Sequence, residues 1–305
     1  MNDLINKLKG TGVALITPFK SDFSIDHQAI KKIVDFVIDG GVNYLVVHGT
    51  TGEATSLTEK EKIESRRSFL LANDNRLPII IGIGSNSTFS LSSYISESNL
   101  NGFDAILSVV PYYNKPSQNG LYKHFTNIAN KSPLPIILYN VPSRTSCNMN
   151  SNTTLRLSKN KNIIGIKEAN HDISQIKDLI SNTSDDFLII SGDDESAHES
   201  VLIGADGVIS VAANGIPNLF SKTIDLALDR NVKKTYKSFE KVNPFIRLIY
   251  KEGNPTGIKS AMSELGLCKN ILRLPLIPSS IDLKTQFKNF FSNSLLKFLY
   301  LQSLN

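Results

Sequence analysis

The chain has 305 residues, enough to bury a large core, and with 41% hydrophobic and 20% charged residues its composition is typical of globular proteins. Its net charge of +5 comes from scattered lysines without a dense basic block, which argues against a nucleic-acid-binding protein. Two cysteines, Cys147 and Cys268, cannot form a disulfide framework, and no apolar stretch reaches the roughly 20 residues that span a bilayer, so we expect a cytoplasmic protein without membrane contact.

Eight short apolar runs predict β-strands, and the segments between them are long enough for crossover helices. In chain order the predicted strands are 12–16, 43–47, 78–82, 104–109, 135–139, 163–167, 187–190 and 207–211. Thr58, which is followed by acidic residues, is predicted to cap one helix, and Asp194 is predicted to begin another.

This unbroken alternation predicts the α/β class and a closed (β/α)8 TIM barrel. A doubly wound open sheet is the alternative, but Thr17-Pro18-Phe19 follows the first strand where a glycine-rich dinucleotide motif would be expected. From about residue 231 the pattern changes to helices without further strands. We therefore predict a catalytic barrel domain over residues 1–230 and a C-terminal helical subdomain over residues 231–305.

The sixth predicted strand ends in a lysine, Lys167. Burying an ammonium group costs several kcal/mol in effective terms, so a lysine on a buried strand needs a reason. One reason is chemical, because a desolvated, neutral amine can attack a carbonyl carbon and form a Schiff base. The plainer alternative is a side chain whose ammonium group reaches water at the strand exit.

Other strand ends also carry polar or aromatic groups. Thr50 and Thr51 follow the second strand, Tyr112 and Tyr113 follow the fourth, and Tyr139 ends the fifth. Since barrel enzymes place their chemistry at the carboxyl ends of the strands, these groups are predicted to share one rim with Lys167. Each group has a competing interpretation. The threonines could simply cap a turn, and the tyrosines could pack under a loop or against a partner subunit.

The sequence does not predict a metal site. Asp193-Asp194 could supply metal ligands, but an N-cap for the next helix is the favoured interpretation. The histidines lack metal-ligand spacing and are predicted to be structural or solvated; they are His27, His48, His124, His171 and His198.

Taken together, six segments closely resemble the dihydrodipicolinate synthase family, which belongs to the class I pyruvate-dependent aldolase barrels related to N-acetylneuraminate lyase. The resemblance runs from about residue 12 to about residue 275. The segments are GTTGE at 49–53, PYYNKPSQNGLYKHF at 111–125, YNVPSRT at 139–145, IIGIKEA at 163–169, SGDD at 191–194 and GVISVAAN at 207–214.

The resemblance implies a catalytic role for four residues. Lys167 would condense with pyruvate, and Tyr139 would transfer protons. Thr50 would link Tyr139 to Tyr113, which in this family reaches in from the neighbouring subunit of a tight dimer. No metal or organic cofactor is implied beyond the covalent imine of pyruvate on the lysine.

The resemblance also implies the substrate-binding residues and the reaction. Thr51 would bind the pyruvate carboxylate, Arg144 would bind the carboxylate of L-aspartate 4-semialdehyde, and Gly192 and Ile209 would contribute backbone carbonyls. The expected enzyme is a carbon–carbon-bond-forming lyase on the diaminopimelate route to lysine. The expected assembly is a homotetramer built as a dimer of dimers, with a dimer as the alternative.

Three other functions remain open at this point. A sister aldolase, such as N-acetylneuraminate lyase or a keto-sugar-acid aldolase, would share the lysine and tyrosine but would usually lack an arginine that matches Arg144. A catalytically silent binding protein would not need this set of residues. A phosphate-binding or metal-dependent barrel is disfavoured by the acidic segment 191–194 and by the missing ligand cluster.

The resemblance extends to feedback control. Family members that lysine inhibits bind it in a cleft at the dimer interface, and Asn86 and Tyr112 match residues of that cleft. Glu59 and Lys62, however, stand at the positions where such members would carry a histidine, and Ser90 stands where they carry a glutamate. Ser90 cannot neutralise the ligand's ammonium and Lys62 would repel it, so we expect a vestigial cleft and weak or absent inhibition by lysine.

Overall fold

The computed structural model of the chain describes residues 2–170 and 172–292. Eight parallel strands form a closed barrel in the order β1 to β8, with β8 paired to β1. The strands are β1 (Gly10–Ala14), β2 (Tyr44–Val47), β3 (Ile79–Gly82), β4 (Ala105–Val109), β5 (Ile136–Asn140), β6 (Ile163–Glu168), β7 (Leu188–Ser191) and β8 (Gly207–Ser210). The (β/α)8 prediction is therefore confirmed, and the open sheet is excluded.

The predicted strand bounds differ most for β1, which begins two residues before the predicted start. The difference has a local cause, because β1 begins with Gly10, which pairs with Gly207 of β8. A Cβ atom at Gly207 would lie 2.0 Å from the carbonyl oxygen of Gly10, so β1 and β8 meet at a position where neither strand has a side chain. Glycine is a weak strand signal in sequence, which hid this end of the strand.

Helices cover the barrel and continue after it. They are α1 (Asn2–Lys7), α2 (His27–Asp39), α3 (Glu59–Asn73), α4 (Thr88–Glu97), α5 (Gln118–Lys131), α6 (Pro142–Thr145), α7 (Ser151–Leu157), α8 (Ile173–Asn182), α9 (Ala197–Ile203), α10 (Pro217–Leu228), α11 (Val232–Tyr250), α12 (Thr256–Glu264) and α13 (Ile281–Ser292). None of the helices in the described ranges combines the length and the apolar character needed to cross a bilayer.

One of the two predicted helix starts is confirmed. Thr58 caps α3 in a capping box, in which its hydroxyl accepts from the Glu61 N–H and the Glu61 carboxylate accepts from the Thr58 N–H. The prediction for Asp194 is wrong, because α9 has Ser196 as its N-cap. Asp194 instead turns inward and accepts from backbone N–H groups that follow β8.

The core has two layers, as expected for a filled barrel. An inner cluster inside the strands includes Tyr44, Ile80, Tyr139 and Ile209, and α1 covers it from one side through Ile5. The outer cluster joins the strands to the surrounding helices and continues into α11, α12 and α13. The described C-terminal helices thus pack on the barrel core, and the division at residue 231 stays a prediction.

Candidate active site

A cavity of about 500 Å³ opens at the carboxyl ends of the strands. Six predicted site residues from four of the matching segments line it: these are Thr50, Thr51, Tyr139, Arg144, Lys167 and Gly192. A volume of this size suits a small-molecule substrate. The prediction that the strand ends share one rim is therefore confirmed for Thr50, Thr51, Tyr139 and Lys167, whereas Tyr112 and Tyr113 are not among the residues that line this cavity.

Lys167 and Tyr139 occupy paired positions on β6 and β5. The Lys167 Nζ lies 4.5 Å from the centroid of the Tyr139 ring, and both side chains are buried, at 6% and 9% exposure. Within the described residues, the Lys167 amine has no hydrogen bond or ion pair. An amine at the floor of a cavity without a carboxylate partner is free to act as a nucleophile, with a phenol beside it that can donate or accept a proton.

A second pair, one residue further along each strand, lies on the outer side of the barrel. Asn140 pairs with Glu168 in the strand register, and its side-chain amide donates to both carboxylate oxygens at 2.9 and 3.0 Å. Gln175 of α8 donates to the same carboxylate at 2.8 Å, and so does the Asn170 N–H. This network ties the ends of β5 and β6 to each other, and therefore fixes the spacing of Tyr139 and Lys167 on the opposite side.

Glu168 is almost fully buried, with 1% exposure, and its hydrogen-bond partners Asn140, Asn170 and Gln175 are all neutral donors. Burial raises the pKa of its carboxyl group to about 7, although the hydrogen bonds from Asn140, Asn170 and Gln175 act in the opposite direction.

The two threonines lie in a tight turn after β2. The Thr17 hydroxyl donates to the carbonyl of Gly52 at 2.7 Å, and the Asn254 amide donates to Thr51 Oγ1 at 3.0 Å. Glu53 closes the turn in the left-handed region, with φ of 50°. Its carboxylate is buried in an ion pair with Lys259 of α12, so the turn is attached to the C-terminal helices at two points.

Arg144 stands at the mouth of the cavity on the short helix α6, which begins with Pro142 and is separated from the end of β5 by the single residue Val141. Its side chain is exposed, and Nη2 donates to the Asn254 carbonyl at 3.3 Å. The other guanidinium donors have no protein acceptor in the described part of the chain. They remain available for a ligand carboxylate.

The remaining predicted residues lie outside this cavity. Ile209 is buried in the inner core below it, and Tyr113 is 86% exposed in a left-handed conformation with φ of 72°. In the described chain the Thr50 hydroxyl forms no hydrogen bond with Tyr139 or Tyr113. The proposed relay through these three residues therefore stays a prediction.

The structure adds cavity residues that the sequence patterns did not indicate. Arg247 and Tyr250 of α11 line the cavity, as does Asn254 in the loop after it. The strand-end rule does not reach these residues, because they come from the helical region after the barrel. The spacing of three residues between Arg247 and Tyr250 is the signal in the sequence, because such spacing places both side chains on one helix face, whereas no pattern indicates Asn254 in the loop.

A second cleft of about 540 Å³ adjoins the cavity, and Tyr112, Lys62 and Ser90 line it. Asn86 is exposed and is not among its lining residues. His48 also lines the cleft, with Nε2 2.8 Å from the Ser65 hydroxyl, and burial lowers its pKa to about 3. His48 is therefore a neutral, structural histidine at physiological pH.

The described ranges contain no group of three or more histidine, cysteine or acidic side chains that could hold a metal ion. His27, His124 and His198 contact Ser68, Thr88 and aromatic rings respectively. The prediction for His171 lies outside the described residues.

Comparison with known proteins gives a consistent result. Residues 7–294 match the model of the dihydrodipicolinate synthetase family. The 4-hydroxy-tetrahydrodipicolinate synthase of Flavobacterium psychrophilum is 49% identical over 282 residues, which cover 92% of this chain and 96% of the relative.

Two solved structures are similar along nearly their full lengths. Dihydrodipicolinate synthase from Acinetobacter baumannii, chloride-inhibited and complexed with pyruvate, has a TM-score of 0.91 at 37% identity, covering 95% of this chain and 99% of that one. Dihydrodipicolinate synthase from Thermotoga maritima has a TM-score of 0.91 at 36% identity, covering 94% and 99%.

Proposed function

The chain belongs to the dihydrodipicolinate synthetase family, and from this premise we propose that it condenses pyruvate with L-aspartate 4-semialdehyde as a 4-hydroxy-tetrahydrodipicolinate synthase. The single observation that carries the proposal is the buried Lys167 amine, which has no ion pair within residues 2–170 and 172–292, beside Tyr139 at the floor of the cavity. The reaction makes a carbon–carbon bond and supplies the diaminopimelate route to lysine.

The first step forms the imine. The amine of Lys167 attacks the keto carbon of pyruvate, and the carbonyl oxygen leaves as water after it has gained two protons. Tyr139, whose ring lies beside the amine, is placed to transfer these protons. The resulting iminium ion is an electron sink, which allows the methyl group of pyruvate to lose a proton and form an enamine.

The second step uses the enamine. Its methylene carbon attacks the aldehyde carbon of the semialdehyde, and the aldehyde oxygen takes up a proton to become the hydroxyl group. The amino group of the adduct then attacks the imine carbon, the bond to Lys167 Nζ breaks, and the ring closes. The lysine amine is regenerated, so the cycle requires no cofactor besides the lysine itself.

Two residues would bind the carboxylates of the substrates. The Thr51 hydroxyl, which Asn254 holds in place at 3.0 Å, would hydrogen-bond the pyruvate carboxylate. Arg144 would bind the carboxylate of the semialdehyde with its free donors at the mouth of the cavity. Gly192 lies at the rim, and Ile209 would act only through its backbone.

We further propose that the enzyme acts in the cytoplasm as a homo-oligomer, a dimer of dimers or a dimer. The exposed, left-handed Tyr113 is the observation behind this proposal, because a tyrosine that is 86% exposed beside an active-site rim can enter the cavity of a partner. With Tyr113 in place, Thr50 would lie between two tyrosines, as the proton relay needs.

Reduction of the imine tests the proposal. Incubation with pyruvate and sodium borohydride, followed by peptide mass spectrometry, should give one pyruvate-derived adduct, on Lys167. The variant Lys167→Ala should give none, whereas Lys62→Ala, which removes a lysine from the neighbouring cleft, should still be labelled at Lys167. An adduct on another lysine would contradict the mechanism.

Faster turnover of N-acetylneuraminate than of aspartate semialdehyde would favour a sister aldolase.

A further inference from the structure

Tyr250 of α11 lines one wall of the cavity, and its hydroxyl group is hydrogen-bonded to the buried Asp194. The Tyr250 hydroxyl lies 3.0 Å from Oδ2 of Asp194. Asp194 is buried, with 2% exposure, and it accepts from the N–H groups of Val211 at 3.1 Å and Ala212 at 2.9 Å. Burial raises the pKa of the Asp194 carboxyl group, and the hydrogen bonds that it accepts from the Ala212 N–H and from Tyr250 act in the opposite direction. In its bond to Asp194 the Tyr250 hydroxyl is the donor.

The direction of this hydrogen bond determines what Tyr250 offers to the cavity. A phenol has one proton, and here that proton points at Asp194. Burial, together with the charge of Asp194, raises the pKa of Tyr250, so the phenol stays neutral. Its oxygen can therefore only accept a hydrogen bond from a ligand. Asp193 and Glu195 line the same cavity and add negative charge to it.

The two substrates differ in what they can give to such an acceptor. Pyruvate has no hydrogen-bond donor, whereas the semialdehyde carries an α-ammonium group with three N–H donors beside its carboxylate. The carboxylate has a partner in Arg144, which lines the cavity from α6. The ammonium group has no partner among the residues that we assigned to the reaction.

We propose that Tyr250, oriented by Asp194, accepts a hydrogen bond from the α-ammonium group of the aldehyde substrate and so selects an amino-acid semialdehyde over its analogue without the amine. This inference rests on the proposed function. Tyr250 is a specificity residue in this scheme, and Asp194 is a positioning residue that acts through it.

The variant Tyr250→Phe tests the inference, because it removes only the hydroxyl group. We expect kcat/KM for L-aspartate 4-semialdehyde to fall about tenfold or more, mainly through KM, as for loss of one hydrogen bond to a charged group. Borohydride trapping of pyruvate should be unchanged. The inhibition constant of succinate semialdehyde, which lacks the amine, should also stay within about twofold of the wild-type value, since the lost contact is one it never makes.

Tyr236→Phe is the matched control. Tyr236 lies on the same helix, its hydroxyl faces Glu199 at 3.4 Å, and it does not line the cavity. We expect this variant to keep wild-type kinetics with both aldehydes.

If Tyr250→Phe weakened binding of succinate semialdehyde by the same factor as it lowered kcat/KM for aspartate semialdehyde, the inference would be overturned. Such a result would indicate a general disturbance of the cavity wall. Unchanged kinetics with the natural aldehyde would overturn it as well. A wild-type protein that forms no imine with pyruvate would instead contradict the proposed function itself, so the two failures are distinguishable.

Discussion

Two successive residues of β6, Lys167 and Glu168, point to opposite sides of the strand and have different surroundings. Lys167 faces the cavity with no ion pair in the described part of the chain, and Glu168 faces α8 in a shell of neutral amide donors. Strand alternation places the two side chains on opposite faces. A buried amine and a buried carboxylate are thus neighbours in sequence without neutralising each other.

Glu168 makes the stability of the protein depend on pH. Its carboxyl pKa is raised from 4.5 to about 7, so between these values the folded state holds a proton that the unfolded state has lost. Folding stability from this group is therefore fully present below pH 4.5 and is lost as the pH rises through 7. The loss over this range should amount to roughly 3 kcal/mol.

The variant Glu168→Gln, which cannot titrate, isolates the effect. We expect the unfolding free energy of the wild type, relative to this variant, to decrease from pH 5 to pH 7.5. Urea unfolding at both pH values measures the difference, and titrations shared by both proteins cancel. A difference that is constant over this range would show that Glu168 titrates normally.

Arg144→Ala should impair use of the aldehyde far more than imine formation with pyruvate. The residue stands at the cavity mouth with free guanidinium donors, and a charge-assisted contact is worth roughly 1.5–3 kcal/mol, or about ten- to a hundred-fold in kcat/KM. Steady-state kinetics with varied aldehyde, together with borohydride trapping, measure the two effects separately.

Arg67→Ala, which removes an exposed arginine outside the cavity, should be neutral. Near-normal aldehyde kinetics in Arg144→Ala would mean that another group binds this carboxylate.

At the scale of whole elements, α12 and the loop before it hold the threonine turn in place. Asn254 binds Thr51, and Lys259, one turn into α12, forms a fully buried ion pair with Glu53. Lys259 also donates to the Ile271 carbonyl at 3.0 Å and lies 4.0 Å from the Phe19 ring centroid. The threonine turn is therefore attached to α12 and to the loop before it by a hydrogen bond and a buried ion pair.

Lys259→Met should destabilise the protein by about 3–5 kcal/mol, because it leaves the Glu53 carboxylate buried without its cation. The double variant Lys259→Met/Glu53→Gln should recover much of this loss, since both charges are then removed together. Urea unfolding of the wild type and the three variants, including Glu53→Gln alone, completes the cycle. A double variant less stable than Lys259→Met would show that the ion pair itself is not what matters there.

At the scale of the whole molecule, the second cleft is poorly suited to a cationic effector. The Glu59 carboxylate that lines it is already bonded to Lys62 at 2.6 Å, and Arg66 adds a further positive charge. Ser90 offers a hydroxyl group where a carboxylate would be needed. A ligand with an ammonium group meets two cations there and no free carboxylate from these residues.

We therefore expect that L-lysine inhibits the enzyme weakly or not at all. Initial rates measured against rising L-lysine concentration decide the matter. Half-inhibition below about a millimolar, where binding is worth roughly 4 kcal/mol, would contradict this expectation. Lys62→Glu provides a contrast, since reversing this charge should increase any residual sensitivity.

The sequence alone determined the barrel and the floor of its site. Hydrophobic runs separated by helix-length segments predict eight βα units, and the strand-end rule then placed Lys167, Tyr139 and Thr50 together. These inferences succeed because strand periodicity and strand direction are local properties. Any chain with this alternation places its strand ends on one rim.

Only the tertiary structure decided which distant groups complete that site. Asn254 lies 203 residues from Thr51, and Tyr250 lies 56 residues from Asp194, yet each pair shares a hydrogen bond. The residues that follow Asp194 in sequence predict that it caps a helix. In the fold its carboxylate instead accepts from backbone N–H groups after β8, and no local pattern indicates that contact. Periodicity reports which face of an element is apolar, whereas the contacts made by its polar face depend on how α11 and α12 pack over the barrel.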